Sequence, residues 1–67
     1  MNHGYLQIEL QDEFNGGFMI IALRWDGKYD KLQDWYDNYD EARRAAHING
    51  NANCCPVIDL TETGGPD

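Results

Sequence analysis

Residues 25–41 read WDGKYDKLQDWYDNYDE, and the fold turns on how residues 28–36 within this stretch are read. Taken as a helix, they put Tyr29, Leu32, Tyr36 and Tyr39 on one stripe, with Asp26, Asp30, Asp34 and Asp37 opposite. Taken as a strand, they show no clean apolar face, because Tyr29 and Trp35 share a side with Lys31 and Gln33. The helical period is the better numerical match. The flanks nevertheless favour an edge strand. Asp26-Gly27 directly after an apolar run is a hairpin signal whose two turn residues need positive φ, and it demands a partner strand. An edge strand also tolerates charge. A separate helix start lies beyond, where Asn38 can cap, Glu41 sits in capping-box position and Asp40 adds favourable charge to the first turn. The competing architecture is a single long helix over residues 28–48.

Upstream, residues 5–11 alternate, with Leu6, Ile8 and Leu10 on one face and Gln7, Glu9 and Gln11 on a wet outer face. Residues 12–17 form a loop closed by Gly16-Gly17. Residues 18–25 are a near-continuous run of β-formers, as expected for a central strand. Downstream, residues 39–49 carry strong helix formers, with Ala42, Ala45, Ala46 and Ile48 as the face toward a sheet and Asn49-Gly50 as the stop. Residues 51–53 read as a linker and 54–60 as a last strand, with Pro56 placing it at an edge. The candidate core is Leu6, Ile8, Leu10, Phe18, Ile21, Leu23, Trp25, Ile58 and Leu60. The expectation is one α+β domain over residues 1–67, with a β-β-β-α-β sheet of about four strands in order 4-1-2-3 and one helix on one face. Residues 61–67 are expected to fray.

Sixty-seven residues hold one domain. Such a chain buries about 60% of the surface its unfolded form exposes, so its stability margin is thin. Twelve acids against five bases give a net charge of −7. Phosphate backbones and anionic membranes repel that charge, so direct nucleic-acid and membrane binding are excluded. A basic protein surface remains attractive, with encounter speeded by the field and weakened by salt. The start of the chain, MNHGYLQIEL, lacks the basic region and apolar run of a signal peptide. A cytoplasmic location is expected, in the protein's own cell or a host's.

Catalytic and metal chemistry find little support. Cys54 and Cys55 are adjacent, and neighbours in a strand point to opposite faces, so a bridge between them requires a strained turn. Reduced thiols are expected. His3, His47, Cys54 and Cys55 are zinc-ligand types without zinc-site spacing. A dyad of His47 with either cysteine lacks room for a substrate cleft in so small a sheet. Gly16-Gly17 precedes a strand, not the helix a phosphate loop requires. Arg43 and Arg44 lie at helical spacing from Asp40 for weak local pairing. The reading is of no enzyme and no cofactor. The alternatives are a small thiol- or metal-dependent regulator using His47, Cys54 and Cys55, or a structural subunit of a larger assembly. A homodimer through the bare sheet face stays open.

What does stand out is again residues 25–41, which hold six of the twelve acids and five of the eight aromatics. Arg and Lys pair with acids and stack on rings, and Trp and Tyr dominate binding hot spots. The expected protein-binding residues are Trp35 and Tyr36 as anchors, Tyr39 beside them, and Asp30, Asp34, Asp37 and Asp40 as charge complement. The uncovered sheet face with Gln7, Glu9 and Gln11 is the second candidate.

In size, charge and sheet-plus-helix layout, and in this acidic-aromatic run, the chain resembles the small acidic inhibitors that bacteriophages encode. Anti-CRISPR proteins and inhibitors of host RNA polymerase belong to that class. The resemblance is one of class, without a family motif, and carries over no functional residue. It implies a non-catalytic inhibitor acting as a nucleic-acid mimic on a basic surface. Bacterial helix-on-sheet domains with a similar hairpin and an EARRAA-like helix share the layout.

Overall fold

A computed structural model describes residues 4–64, apart from the side chains of Gln33 and Asp34. His3 and residues 65–67 lie outside it. Its elements are β1 (Tyr5–Asp12), β2 (Phe18–Arg24), β3 (Tyr29–Tyr36), α1 (Tyr39–Asn53) and β4 (Val57–Asp59). The sheet order is β3-β2-β1-β4, with β1–β2 and β2–β3 antiparallel and β1–β4 parallel. Residues 29–36 are therefore a strand, as the hairpin signal requires, and the long-helix architecture is excluded. Helix α1 leaves β3 at one edge, crosses the sheet in contact with all four strands, and delivers β4 to the opposite edge.

Both hairpins use the same device. Glu13 N–H donates to the Gly17 carbonyl (3.0 Å) and Gly16 N–H to the Glu13 carbonyl (3.1 Å). In the second hairpin, Arg24 N–H donates to the Lys28 carbonyl (2.7 Å) and Gly27 N–H to the Arg24 carbonyl (3.0 Å). Each loop has three residues, Phe14-Asn15-Gly16 and Trp25-Asp26-Gly27, ending in a glycine at φ 96° and 89°. This is the type I turn closed by a left-handed glycine bulge. The two-residue turn expected at Asp26-Gly27 is thus corrected: only Gly27 takes positive φ, and Trp25 belongs to the loop.

The fully buried apolar residues are Ile8, Leu10, Ile20, Ala22, Ala42 and Ala46, all between sheet and helix. Complete burial of Ile8, Leu10 and Ile20 contributes roughly 1.5–3 kcal/mol each. Ile20 and Ala22, absent from the sequence-based core, face the helix because they pair with Leu10 and Ile8. Ile21 and Leu23, expected inside, lie on the opposite face and are half-buried. Leu6, Trp25, Ile58 and Leu60 are exposed. A bulge between Tyr5 and Gln7 removes Leu6 from the inward alternation and lets Tyr5 pack on the core instead. In β3, Leu32 and Tyr36 reach the core from the helix-facing side. An edge strand needs no more than that, which is why it lacked a conspicuous apolar face.

The helix begins where expected: the Asn38 side chain accepts from Glu41 N–H at 3.0 Å. It does not stop at Asn49-Gly50. A Cβ on Gly50 would lie 2.6 Å from Val57 Cγ2 and 3.0 Å from the Cys55 carbonyl, so this glycine serves close approach of helix and strand. The chain continues helical to Asn53, with Asn49 donating to the Ala45 carbonyl (2.8 Å) and Asn53 to the Asn49 carbonyl (2.9 Å). Cys54 then takes a left-handed conformation at φ 55°. Its N–H donates to the Asn51 carbonyl (3.3 Å), and that of Cys55 to the Gly50 carbonyl (3.0 Å). This is a Schellman close with cysteine in the glycine position. The expected linker at 51–53 is helix, and the last strand starts at Val57, not at residue 54. Ile48, placed on the sheet-facing side from sequence, is 61% exposed, because the buried stripe runs Ala42, Ala46, Gly50.

Candidate functional site

The element order brings three junctions to one end of the sheet: the β1–β2 loop, the β3–α1 turn and the segment after β4. Asp12 and Glu13 come from the first, Asp37 and Asp40 from the second, and Glu62 from the third. Glu62 N–H donates to Asp12 Oδ2 at 3.0 Å, which ties the third junction to the first. At this end Phe14 stands 95% exposed at the loop tip. Trp35 lies beside the loop, 50% exposed, with its indole Nε1–H donating to the Gly16 carbonyl at 2.8 Å. Gly17 lies against that indole so closely that a Cβ there would overlap Trp35 and sit 2.6 Å from the Tyr36 carbonyl. Trp35 is held in place and still presents half its surface, a low-entropy arrangement for an anchor.

The residues singled out from sequence divide into three groups. Trp35, Asp37 and Asp40 gather at this end, both acids exposed. Tyr36 and Tyr39 do not join Trp35 as free anchors, since both are half-buried against the core. Alternation along β3 sends Tyr36 to the helix side and Trp35 to the other. Tyr39 meets Phe18 edge-to-face, with centroids 5.5 Å apart at 67°. Asp30 lies toward the opposite end, accepting from the Tyr5 hydroxyl (3.0 Å) and facing Arg24 at 3.7 Å. The Asp34 side chain lies outside the described residues. Sequence reasoning missed Phe14, although the signal was present. Phe14-Asn15-Gly16 repeats the aromatic-Asx-Gly pattern of Trp25-Asp26-Gly27, which places an aromatic residue first in a three-residue hairpin loop.

A hydrogen-bonded lock supports the acidic end. The Tyr39 hydroxyl donates to Asp59 Oδ2, while Thr61 donates to Asp59 Oδ1 through its hydroxyl (2.7 Å) and its backbone N–H (3.0 Å). Gly64 N–H donates to Thr61 Oγ1 at 3.0 Å, so residues 61–64, expected to fray, are fastened. Burial pushes the Asp59 carboxyl up, but the Tyr39 and Thr61 hydrogen bonds and the Arg43 guanidinium outweigh it and hold it below the usual carboxylate range. The Tyr39 hydroxyl is raised, first by its hydrogen bond to Asp59 and then by burial.

The thiols and His47 are placed apart from this end. Cys54 is exposed at the helix close, and burial followed by the neighbouring Cys54 raises the half-buried Cys55 thiol. His47 is exposed on the outer helix face with Arg44 and Ile48. Among the described residues, no three His, Cys, Asp or Glu side chains converge as metal ligands, and Asp40 makes no ion pair with Arg43 or Arg44. Among the described residues no helix is long and apolar enough to cross a membrane. No family model matches the chain, and no significant match was found among curated proteins or solved structures.

Proposed function

We propose that this chain is a non-catalytic, acidic protein-binding module. In this reading it is an inhibitor that occupies a basic, nucleic-acid-binding surface of a larger protein, such as a CRISPR effector or an RNA polymerase. The observation that carries the reading is Phe14, an aromatic side chain 95% exposed at the tip of the loop whose Gly16 carbonyl tethers Trp35, with Asp12 and Glu13 just before Phe14 and Asp37 just after Trp35 in the chain. Aromatic anchors give affinity when desolvated against a partner, and surrounding acids steer a cationic surface into register. Asp12, Glu13, Asp37, Asp40 and Glu62 supply that charge. Tyr36 and Tyr39 support the surface from beneath, and Asp30 makes no part of it.

The test is capture from a host lysate by the wild-type chain and by a Phe14→Ala, Trp35→Ala double variant shown to be folded. The expected result is a basic protein retained by wild type, lost at raised salt, displaced by its own nucleic acid, and not retained by the variant. Each anchor is expected to contribute about 2 kcal/mol or more. Equal capture by the double variant, or capture indifferent to nucleic acid, would refute the assignment.

A further inference from the structure

The face of the sheet away from α1 holds a carboxylate in an unusual position. Glu9 is 4% exposed, although β1 was expected to show a wet outer face there. Its cross-strand neighbours are Ile21 on β2 and Ile58 on β4. Gln7 Nε2 (2.8 Å) and Tyr29 Oη (3.4 Å) donate to Oε2, and Gln11 Nε2 (2.7 Å) donates to Oε1. All three donors are neutral, and among the described residues no ion pair reaches Glu9. Around this carboxylate the face is mostly apolar, with Met19, Ile21 and Leu23 half-buried and Ile58 and Tyr29 exposed, while Gln7 and Gln11 flank Glu9 and the exposed Lys31 pairs with Ile21 one strand further out.

We infer that the middle of this open face, around Glu9 and away from Trp35 at the acidic end, is a second docking surface for an apolar protein segment that brings one Arg or Lys to Glu9. The charge decides the occupant. A carboxylate accepts about four hydrogen bonds, and here three are made, one of them long. Its 4% exposure leaves it little contact with solvent. A wholly apolar partner would close off that remainder and leave a buried anion without a counterion, a costly state. A guanidinium or ammonium placed over the long Tyr29 contact supplies both the missing donor and the charge. Tyr29, exposed beside it, offers its ring to the same cation.

The probes are two synthetic peptides, one alternating Leu and Arg and the other alternating Leu and citrulline, the neutral isostere of Arg. Side-chain methyl and backbone NMR shifts of the full chain report where each one binds. The Leu/Arg peptide is expected to shift the methyls of Met19, Ile21, Leu23 and Ile58, and to bind about tenfold or more tightly than its citrulline counterpart, as for a charge-assisted hydrogen bond. Glu9→Gln is expected to abolish that preference, and Ile58→Asn to weaken both peptides while leaving Glu9 intact. Shifts confined to the Phe14 loop or the outer helix face would overturn the inference, as would absence of binding or equal affinity for the two peptides. Concentration-dependent shifts of the same methyls without peptide would identify a second copy as the occupant, and would also overturn it. Should Glu9→Gln fail to fold, the peptide comparison on wild type decides. Failure here leaves the acidic end untouched, because Phe14 and Trp35 are not among the reporting residues.

Discussion

Removal of one hydroxyl, in Tyr39→Phe, tests the lock that joins the start of α1 to the end of β4. Tyr39 donates to Asp59 Oδ2, while both Thr61 donors serve Oδ1. The variant therefore leaves Asp59 Oδ2 without its donor and Oδ1 with both of its bonds, with the Phe18 edge-to-face contact retained. A hydrogen bond to a charged acceptor is worth about 1.5–3 kcal/mol. Partial exposure and the surviving Thr61 bonds put the expected loss at the lower end, about 1.5 kcal/mol. For a chain of this size that lowers Tm by roughly 6–12 °C. The same contact makes stability depend on pH. The Asp59 carboxyl is held below its ordinary value of 3.8 in the folded chain, so near and below that pH the unfolded chain binds more protons. This contribution is complete above the unfolded value and is lost as pH falls through the folded one. The Tyr39 hydroxyl, raised above 10.0, contributes stability that is complete below pH 10 and lost as pH rises through its folded value. Urea titrations of wild type and Tyr39→Phe across pH provide the assay. The gap between them is expected to be widest near neutrality and to narrow at both extremes. A gap under about 0.3 kcal/mol at pH 7, or one that does not change with pH, would refute the lock.

Cys54→Gly is expected to stabilise the chain by about 0.5–1 kcal/mol, since glycine relieves the left-handed cost at φ 55° at some entropic expense; chemical denaturation measures it. Gly50→Ala is expected to destabilise by about 1–3 kcal/mol, against the usual helical preference for alanine, because the new methyl meets Val57 and the Cys55 carbonyl. A neutral or positive effect in thermal melts would show that helix and strand can separate freely. Asn38→Ala should cost about 1 kcal/mol through the lost cap on Glu41 N–H, read from the same melts. Phe14→Ala is expected to change stability by less than about 0.5 kcal/mol, since the ring touches little of its own chain. A larger loss would make Phe14 a packing residue and weaken its role as an anchor.

Local signals in the chain were enough for the element order. The alternation of residues 5–11, the β-run 18–25, the Asp26-Gly27 turn and the Asn38 cap each depend on neighbours close in sequence, and each element they imply is present. The return of the last strand beside β1 also followed, because a helix crossover has few ways to close a small sheet. Which residues are inside was less legible. One bulge at Leu6 re-phases the start of β1, and a bulge is a property of two paired strands, invisible in either alone. The helix length was misread because Gly50 looks like a stop in one dimension. In three dimensions it is the point where Val57 needs the space of a side chain.

The proposed binding surface divides in the same way. Composition alone fixed the net charge of −7 and the surplus of aromatics in residues 25–41, since charge and side-chain chemistry need no fold. Tertiary structure decided which of those aromatics is offered. Strand alternation turned Tyr36 inward and Trp35 outward, and Tyr39 was taken up by Phe18 and Asp59. Pairing of β2 with β3 set Trp35 against the distant loop that carries Phe14. Glu9 shows the same rule most plainly: its neighbours in sequence are ordinary strand residues, and only the pairing of β1 with β2 and β4 closes Ile21 and Ile58 around its carboxylate.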